Sequence, residues 1–142
     1  MPRMSEDEWR RFLSEGARTA KLATVRADGR PHVAPIWFIL DEEGSIVFTT
    51  GAGTAKGTAL RRDARVALCV DDERPPFAYV VVEGTAEVSE DLQEMLWCAT
   101  RIGGRYMGED RAEAFGRRNA VEGELLVRVT PTKVVGERGV AD

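Results

Sequence analysis

Apolar and polar positions along the chain follow two periods. Between Lys21 and Thr50, and again between Val66 and Val88, apolar residues gather in short runs bounded by turn residues, which predicts strands. At the start, and from Ser89 to about Asn119, they recur every three or four positions, which predicts helices. Ser5-Glu6-Asp7-Glu8 spells a capping box, in which the serine oxygen accepts from the Glu8 backbone and the glutamate reaches back. Trp9, Phe12 and Leu13 follow at helical spacing, and Gly16 stops the helix, so 5–16 reads as one short amphipathic helix.

The first strand is Lys21 to Arg26, and Asp28-Gly29 turns it back. Its partner, Val33 to Leu40, is almost wholly apolar and reads as one strand covered on both faces. Pro35 removes a backbone donor from its middle, which places it at a sheet edge or a bulge. Asp41-Glu42-Glu43-Gly44 turns the chain into Ser45–Thr50. A loop of small residues, Gly51 to Gly57, leads to a short helix from Thr58 to Asp63. Strands resume at Val66–Val70 and Phe77–Val88, with Gly84 marking a bend or bulge. In the helical insert Leu92, Met95, Leu96 and Ala99 share a face, Gly103-Gly104 breaks the run, and Glu109 to Arg118 forms a second helix. Two strands close the chain, Leu125–Val129 and, after Pro131, Lys133–Val135. These elements predict one mainly β domain over 1–142, a barrel of roughly six antiparallel strands with a few flanking helices.

The 142 residues are 43% hydrophobic and 31% charged, which excludes a disordered tail or a fibrous rod. No apolar run is long enough for a spanning helix, and the first residues lack a signal-peptide core, so a cytoplasmic protein is expected. A net charge of -4 disfavours nucleic acid and anionic membrane as partners. Cys69 and Cys98 sit in apolar contexts as buried free thiols, and the single histidine, His32, supports neither a zinc site nor a triad, so no metal is expected.

Three stretches carry candidate chemistry. In Thr49-Thr50-Gly51-Ala52-Gly53-Thr54-Ala55-Lys56 a strand feeds a small-residue loop that opens a helix. Free backbone N–H groups, the Thr50 and Thr54 hydroxyls and the Lys56 ammonium converge there in a way that suits a phosphate. The plainer reading is a glycine turn with Thr54 as helix cap and Lys56 solvated. Pro35-Ile36-Trp37 offers either a floor for a flat ring system or core packing. Phe77-Ala78-Tyr79 places two aromatics on one strand face, which ordinary packing explains equally well.

The order of these segments resembles the pyridoxamine-phosphate-oxidase-like flavin and deazaflavin oxidoreductases. The resemblance runs from about Thr19 to Val135. It is carried by Leu22-Ala23-Thr24-Val25, Asp28-Gly29-Arg30-Pro31-His32-Val33, Val47-Phe48-Thr49-Thr50, Lys56 with Leu60 to Leu68, and Val82-Glu83-Gly84-Thr85-Ala86. Leu60-Arg61-Arg62-Asp63 is most similar to the actinobacterial branch that uses the deazaflavin coenzyme F420.

That resemblance implies a split β-barrel and a homodimer with two cofactor sites at the subunit interface. It places the ring against Pro35, Ile36 and Trp37, and the phosphate at Thr49, Thr50, Gly53, Thr54, Ala55 and Lys56. It gives Phe77, Ala78 and Tyr79 the closing of the site, often from the other subunit. The implied activity is hydride transfer between F420 and an electron-poor small molecule such as an enone or quinone, with no catalytic side chain. FMN is the alternative cofactor, and a flavin, deazaflavin or haem carrier or sensor the alternative role. Relatives that make pyridoxal phosphate carry basic residues in the second strand and a basic C-terminal motif. Val33–Leu40 contains no basic residue and the chain ends Glu137-Arg138-Gly139-Val140-Ala141-Asp142, so that activity is not expected.

Overall fold

The computed structural model describes residues 2–142. The capping box at Ser5 forms as the sequence predicts, with both reciprocal hydrogen bonds at 3.2 Å, and starts helix α1 (Glu6–Ser14). Phe12 and Leu13 bury its inner face.

Seven strands then form a single curled antiparallel sheet: β1 (Ala20–Val25), β2 (Pro31–Ile36), β3 (Ile39–Leu40), β4 (Ile46–Gly51), β5 (Arg65–Asp72), β6 (Ala78–Ser89) and β7 (Glu124–Arg138), in the order β2-β1-β5-β6-β7-β4-β3. This is the mainly β split barrel expected, with seven strands in place of six. Helix α2 (Ala55–Arg62) plugs one end. Helices α3 (Leu92–Met107) and α4 (Ala112–Asn119), joined by a 3-10 turn at Glu109–Arg111, pack outside it. The core lies inside the curl, where Leu22, Phe38, Phe48, Leu68, Val70, Val80 and Val82 are buried. No helix of the described residues is long and apolar enough to cross a membrane.

The largest departure from the sequence reading is the apolar run Val33–Leu40. It is not one strand: β2 ends at Ile36 on one edge of the sheet, and β3 belongs to the opposite edge. Trp37 and Phe38 carry the chain between the two edges. Side chains take over the backbone bonds lost there: the Phe38 N–H donates to the Tyr106 hydroxyl at 3.3 Å, and the Phe38 carbonyl accepts from Arg105 at 2.8 Å. Pro35, as expected, lies on an edge strand.

Smaller differences have equally local causes. Capped by Thr54, α2 begins at Ala55 rather than Thr58. Gly103 and Gly104 do not break α3. A Cβ on Gly103 would stand 2.6 Å from the Phe115 Cβ, so this glycine sets the close approach of α3 and α4. The buried face of α3 is Met95, Cys98, Ala99 and Ile102, whereas Leu92 and Leu96 are exposed. The second helix of the insert starts only at Ala112. The closing segment is a single strand, β7, that continues through Pro131, because a bulge at Thr132, opposite Glu83/Gly84 of β6, accommodates it. Phe77 precedes β6, with a positive φ of 66°, so it and Tyr79 do not share a strand face.

Candidate active site

The junction of β4 and α2 is built from the bottom by capping chemistry. Gly51 ends β4, and the Ala52 N–H donates across to the Gly123 carbonyl at 2.9 Å, tying the loop to the start of β7. Thr54 then commits its hydroxyl twice. It donates to the Gly51 carbonyl at 2.8 Å and accepts from the Gly57 N–H at 3.0 Å. The Thr50 hydroxyl, buried, lies 3.2 Å from it. Thr49 points to the opposite face of β4, by strand alternation. Cap and loop therefore consume both threonine hydroxyls at positions 50 and 54, as the plainer reading of this stretch holds for Thr54.

What remains free is the backbone. Among the described residues the N–H groups of Ala55 and Lys56, in the first turn of α2, have no acceptor in the chain. Half-buried Lys56 forms no ion pair there, whereas Lys21 pairs with Asp71 at 3.1 Å. Gly53 faces open space: a Cβ placed on it would meet nothing within 4 Å. Two unpaired amides, an unpaired ammonium and an uncrowded approach fit a phosphate, because a helix N-terminus presents a partial positive charge there. Beside this start, an open cleft of about 370 Å³ separates α2 from the β1–β2 turn, and Arg26, Arg30 and Arg62 line it. In a cleft of about 530 Å³ elsewhere, between Glu15–Arg18 and Asp71–Arg74, the lining arginines are already paired, Arg18 and Arg74 both with Asp72.

The three residues expected under the ring do not act as one surface. Ile36 is buried in the core, Pro35 is exposed on the outer face of β2, and Trp37 stands at the crossover with 39% of its surface exposed. Trp37 stacks on Tyr106 with ring centroids 5.0 Å apart and planes 2° from parallel, and Phe115 lies against it at 5.9 Å. Tyr106 is fixed in turn: its hydroxyl donates to the Arg18 carbonyl at 2.7 Å, and burial raises its pKa. Arg105 donates to the carbonyls of Leu13, Gly16 and Phe38. Nothing local in the sequence flagged Arg105 or Tyr106, which act on a segment almost seventy residues earlier, and Phe115, legible only as a packing residue of its helix, meets Trp37.

Phe77, Ala78 and Tyr79 sit far from the junction. Tyr79 is opposite Glu137 at one end of the β6–β7 ladder, while Ser89 is opposite Leu126, the partner of Thr49, at the other. Ten residues of strand separate those ends, about 33 Å of chain path. The Tyr79 hydroxyl donates to Glu137 at 2.9 Å, and this hydrogen bond raises its pKa.

The sheet's outer face carries Val33, which is 66% exposed, with half-buried Ala23, Ala67, Val81 and Val135 on neighbouring strands.

Known proteins match this arrangement across most of the chain. The family model described as pyridoxamine 5'-phosphate oxidase matches residues 5–135. An F420H(2)-dependent biliverdin reductase of Mycobacterium tuberculosis (strain CDC 1551 / Oshkosh) is 35% identical over 106 residues, 73% of each chain. The crystal structure of a conserved hypothetical protein of Mycobacterium tuberculosis, Rv2991, superposes with a TM-score of 0.84 at 27% identity, covering 98% of this chain and 89% of that one. A solved F420 reductase superposes with a TM-score of 0.68 at 28% identity, covering 87% and 93%. The fold and the family model agree, and the chain belongs to the pyridoxamine 5'-phosphate oxidase family.

Proposed function

We propose that this protein is an F420-dependent oxidoreductase that works as a homodimer and transfers hydride between the deazaflavin and an electron-poor, conjugated small molecule. The observation that carries the reading is the free donor set at the start of α2, in a chain 35% identical to an F420H(2)-dependent reductase. Bound there, the deazaflavin supplies the hydride chemistry. The chain's residues bind and orient. The amides of Ala55 and Lys56 and the Lys56 ammonium hold the phosphate, and Trp37, locked by Tyr106 and Phe115, offers a rigid aromatic surface beside β2. The absence of basic residues from Val33 to Leu40 favours the deazaflavin over FMN.

Two observations support the dimer. The outer sheet face around Val33 is apolar and open in the single chain. Phe77–Tyr79 lies about 33 Å along the sheet from the junction, so those residues reach a site there only from a second copy. Light scattering at micromolar concentration is expected to give twice the 15.7 kDa chain mass. Stopped-flow mixing of reduced F420, protein and a panel of enones and quinones tests the activity. Substrate-dependent oxidation of the deazaflavin is expected. Binding without any turnover across the panel would contradict the oxidoreductase and favour a carrier. A purified protein carrying flavin absorbance would replace F420 with FMN.

A further inference from the structure

Glu124, the first residue of β7, belongs to the same junction although no sequence feature pointed to it. Register places it opposite Gly51, where β4 gives way to the α2 loop, and the neighbouring Gly123 carbonyl is the one that holds Ala52. Its side chain is half-buried. Burial pushes its carboxyl above the usual carboxylate range, with Lys56 pulling the other way. Register thus sets Glu124 at the foot of the loop that opens α2, and Lys56, in the first turn of that helix, forms no ion pair with it within 4.0 Å.

We propose that Glu124 is a specificity residue of the phosphate site, one that favours a singly charged phosphodiester over a doubly charged phosphomonoester and gains a proton as the anion binds. This rests on the reading of Ala55 and Lys56 as the phosphate site. An anion held by Lys56 and the α2 amides lies beside Glu124. An ionised Glu124 repels it, and the repulsion scales with the charge of the anion. A protonated Glu124 removes the repulsion and offers an O–H donor. By linkage, protonation strengthens anion binding by the same factor as the anion strengthens protonation. Of the groups around Glu124, Lys56 of α2 bears on its charge; Glu122, in the turn before it, is exposed to solvent, and Gly51 and Thr50 of β4 and Gly123 carry no charge. The phosphate of FMN is a monoester that is largely doubly charged at neutral pH, whereas that of F420 is a diester with a single charge.

Fluorescence titration of F420 and of FMN, each against wild type and Glu124→Gln at about pH 5.5 and about pH 8, tests this. Wild type is expected to bind F420 about tenfold more weakly at the higher pH, and the glutamine variant to lose that dependence. At the higher pH the substitution is expected to improve FMN binding about tenfold more than it improves F420 binding. Identical pH profiles for the two proteins, or equal gains for the two cofactors, would overturn the proposal and leave F420 binding itself intact. Failure of wild type to bind either cofactor would overturn both readings. Carbon-13 NMR of the Glu124 carboxyl in the cofactor-free protein adds a readout independent of binding. Lys56→Ala is expected to raise its titration midpoint, and an unchanged midpoint would separate the two residues and overturn the coupling.

Discussion

The β4–α2 junction and the Trp37–Phe38 crossover are both places where the chain leaves a strand, and opposite means hold them. At the junction the side-chain bonds are local: Thr54 reaches three residues back and three forward, and Thr50 reaches four, with one backbone bond, from Ala52 to Gly123, tying the loop to β7. At the crossover every bond is distant: Phe38 is satisfied by Arg105 and Tyr106, and Trp37 rests on Tyr106 and Phe115. The first arrangement leaves backbone donors free for a ligand. The second spends its bonds on holding Phe38 and fixes an aromatic surface. In the function proposed above, the first would serve a long cofactor as its charged anchor and the second as a rigid face.

Substitutions that break the crossover should have the largest effect. Tyr106→Ala removes the stack under Trp37 and the hydrogen bonds to Phe38 and Arg18, and is expected to cost about 3 kcal/mol in urea unfolding. A loss under 1 kcal/mol would mean that Trp37 is held by something else. At the junction, Gly57→Ala drives a Cβ into the Gly51 carbonyl, and about 2 kcal/mol is expected, with a perturbed α2. Thr54→Ala deletes only the cap and is expected to cost about 1 kcal/mol, while Thr54→Ser stays within a few tenths of wild type.

The smallest expected effect concerns the far end of α2. Arg65 holds the Asp63 carboxyl at about 2, against an ordinary 3.8. A depressed carboxylate contributes stability that is present above the unfolded value and is lost as pH falls through the folded one. Acid titration should therefore show a slope between those two values that disappears in Asp63→Asn.

The same contrast explains what the sequence made legible. Local chemistry could be read: the capping box at Ser5, the turn at Gly29, the bulged register at Gly84 and the edge position of Pro35 all appear where residue type alone predicts them. The ordered strand segments also revealed the split barrel. Long-range placement could not be read. The run Val33–Leu40 looks like one strand because its composition is uniform, and only Arg105 and Tyr106 explain the break at Trp37. Gly103 reads as a helix breaker until Phe115 is seen packed against it. Glu124 escaped notice for a similar reason, since only the β4–β7 register brings it to the junction.

The site's central claim is that the start of α2 anchors the cofactor's phosphate through Lys56, and fluorescence titration of F420 against wild type and Lys56→Ala, at low and high salt, tests it most directly. One ammonium beside a phosphate at an effective dielectric near 20 contributes about 4 kcal/mol before desolvation and ordering subtract from it. The variant is expected to bind about ten- to hundredfold more weakly, and wild-type affinity to fall with added salt. Equal dissociation constants for the two proteins at both salt concentrations would contradict the anchor at Lys56.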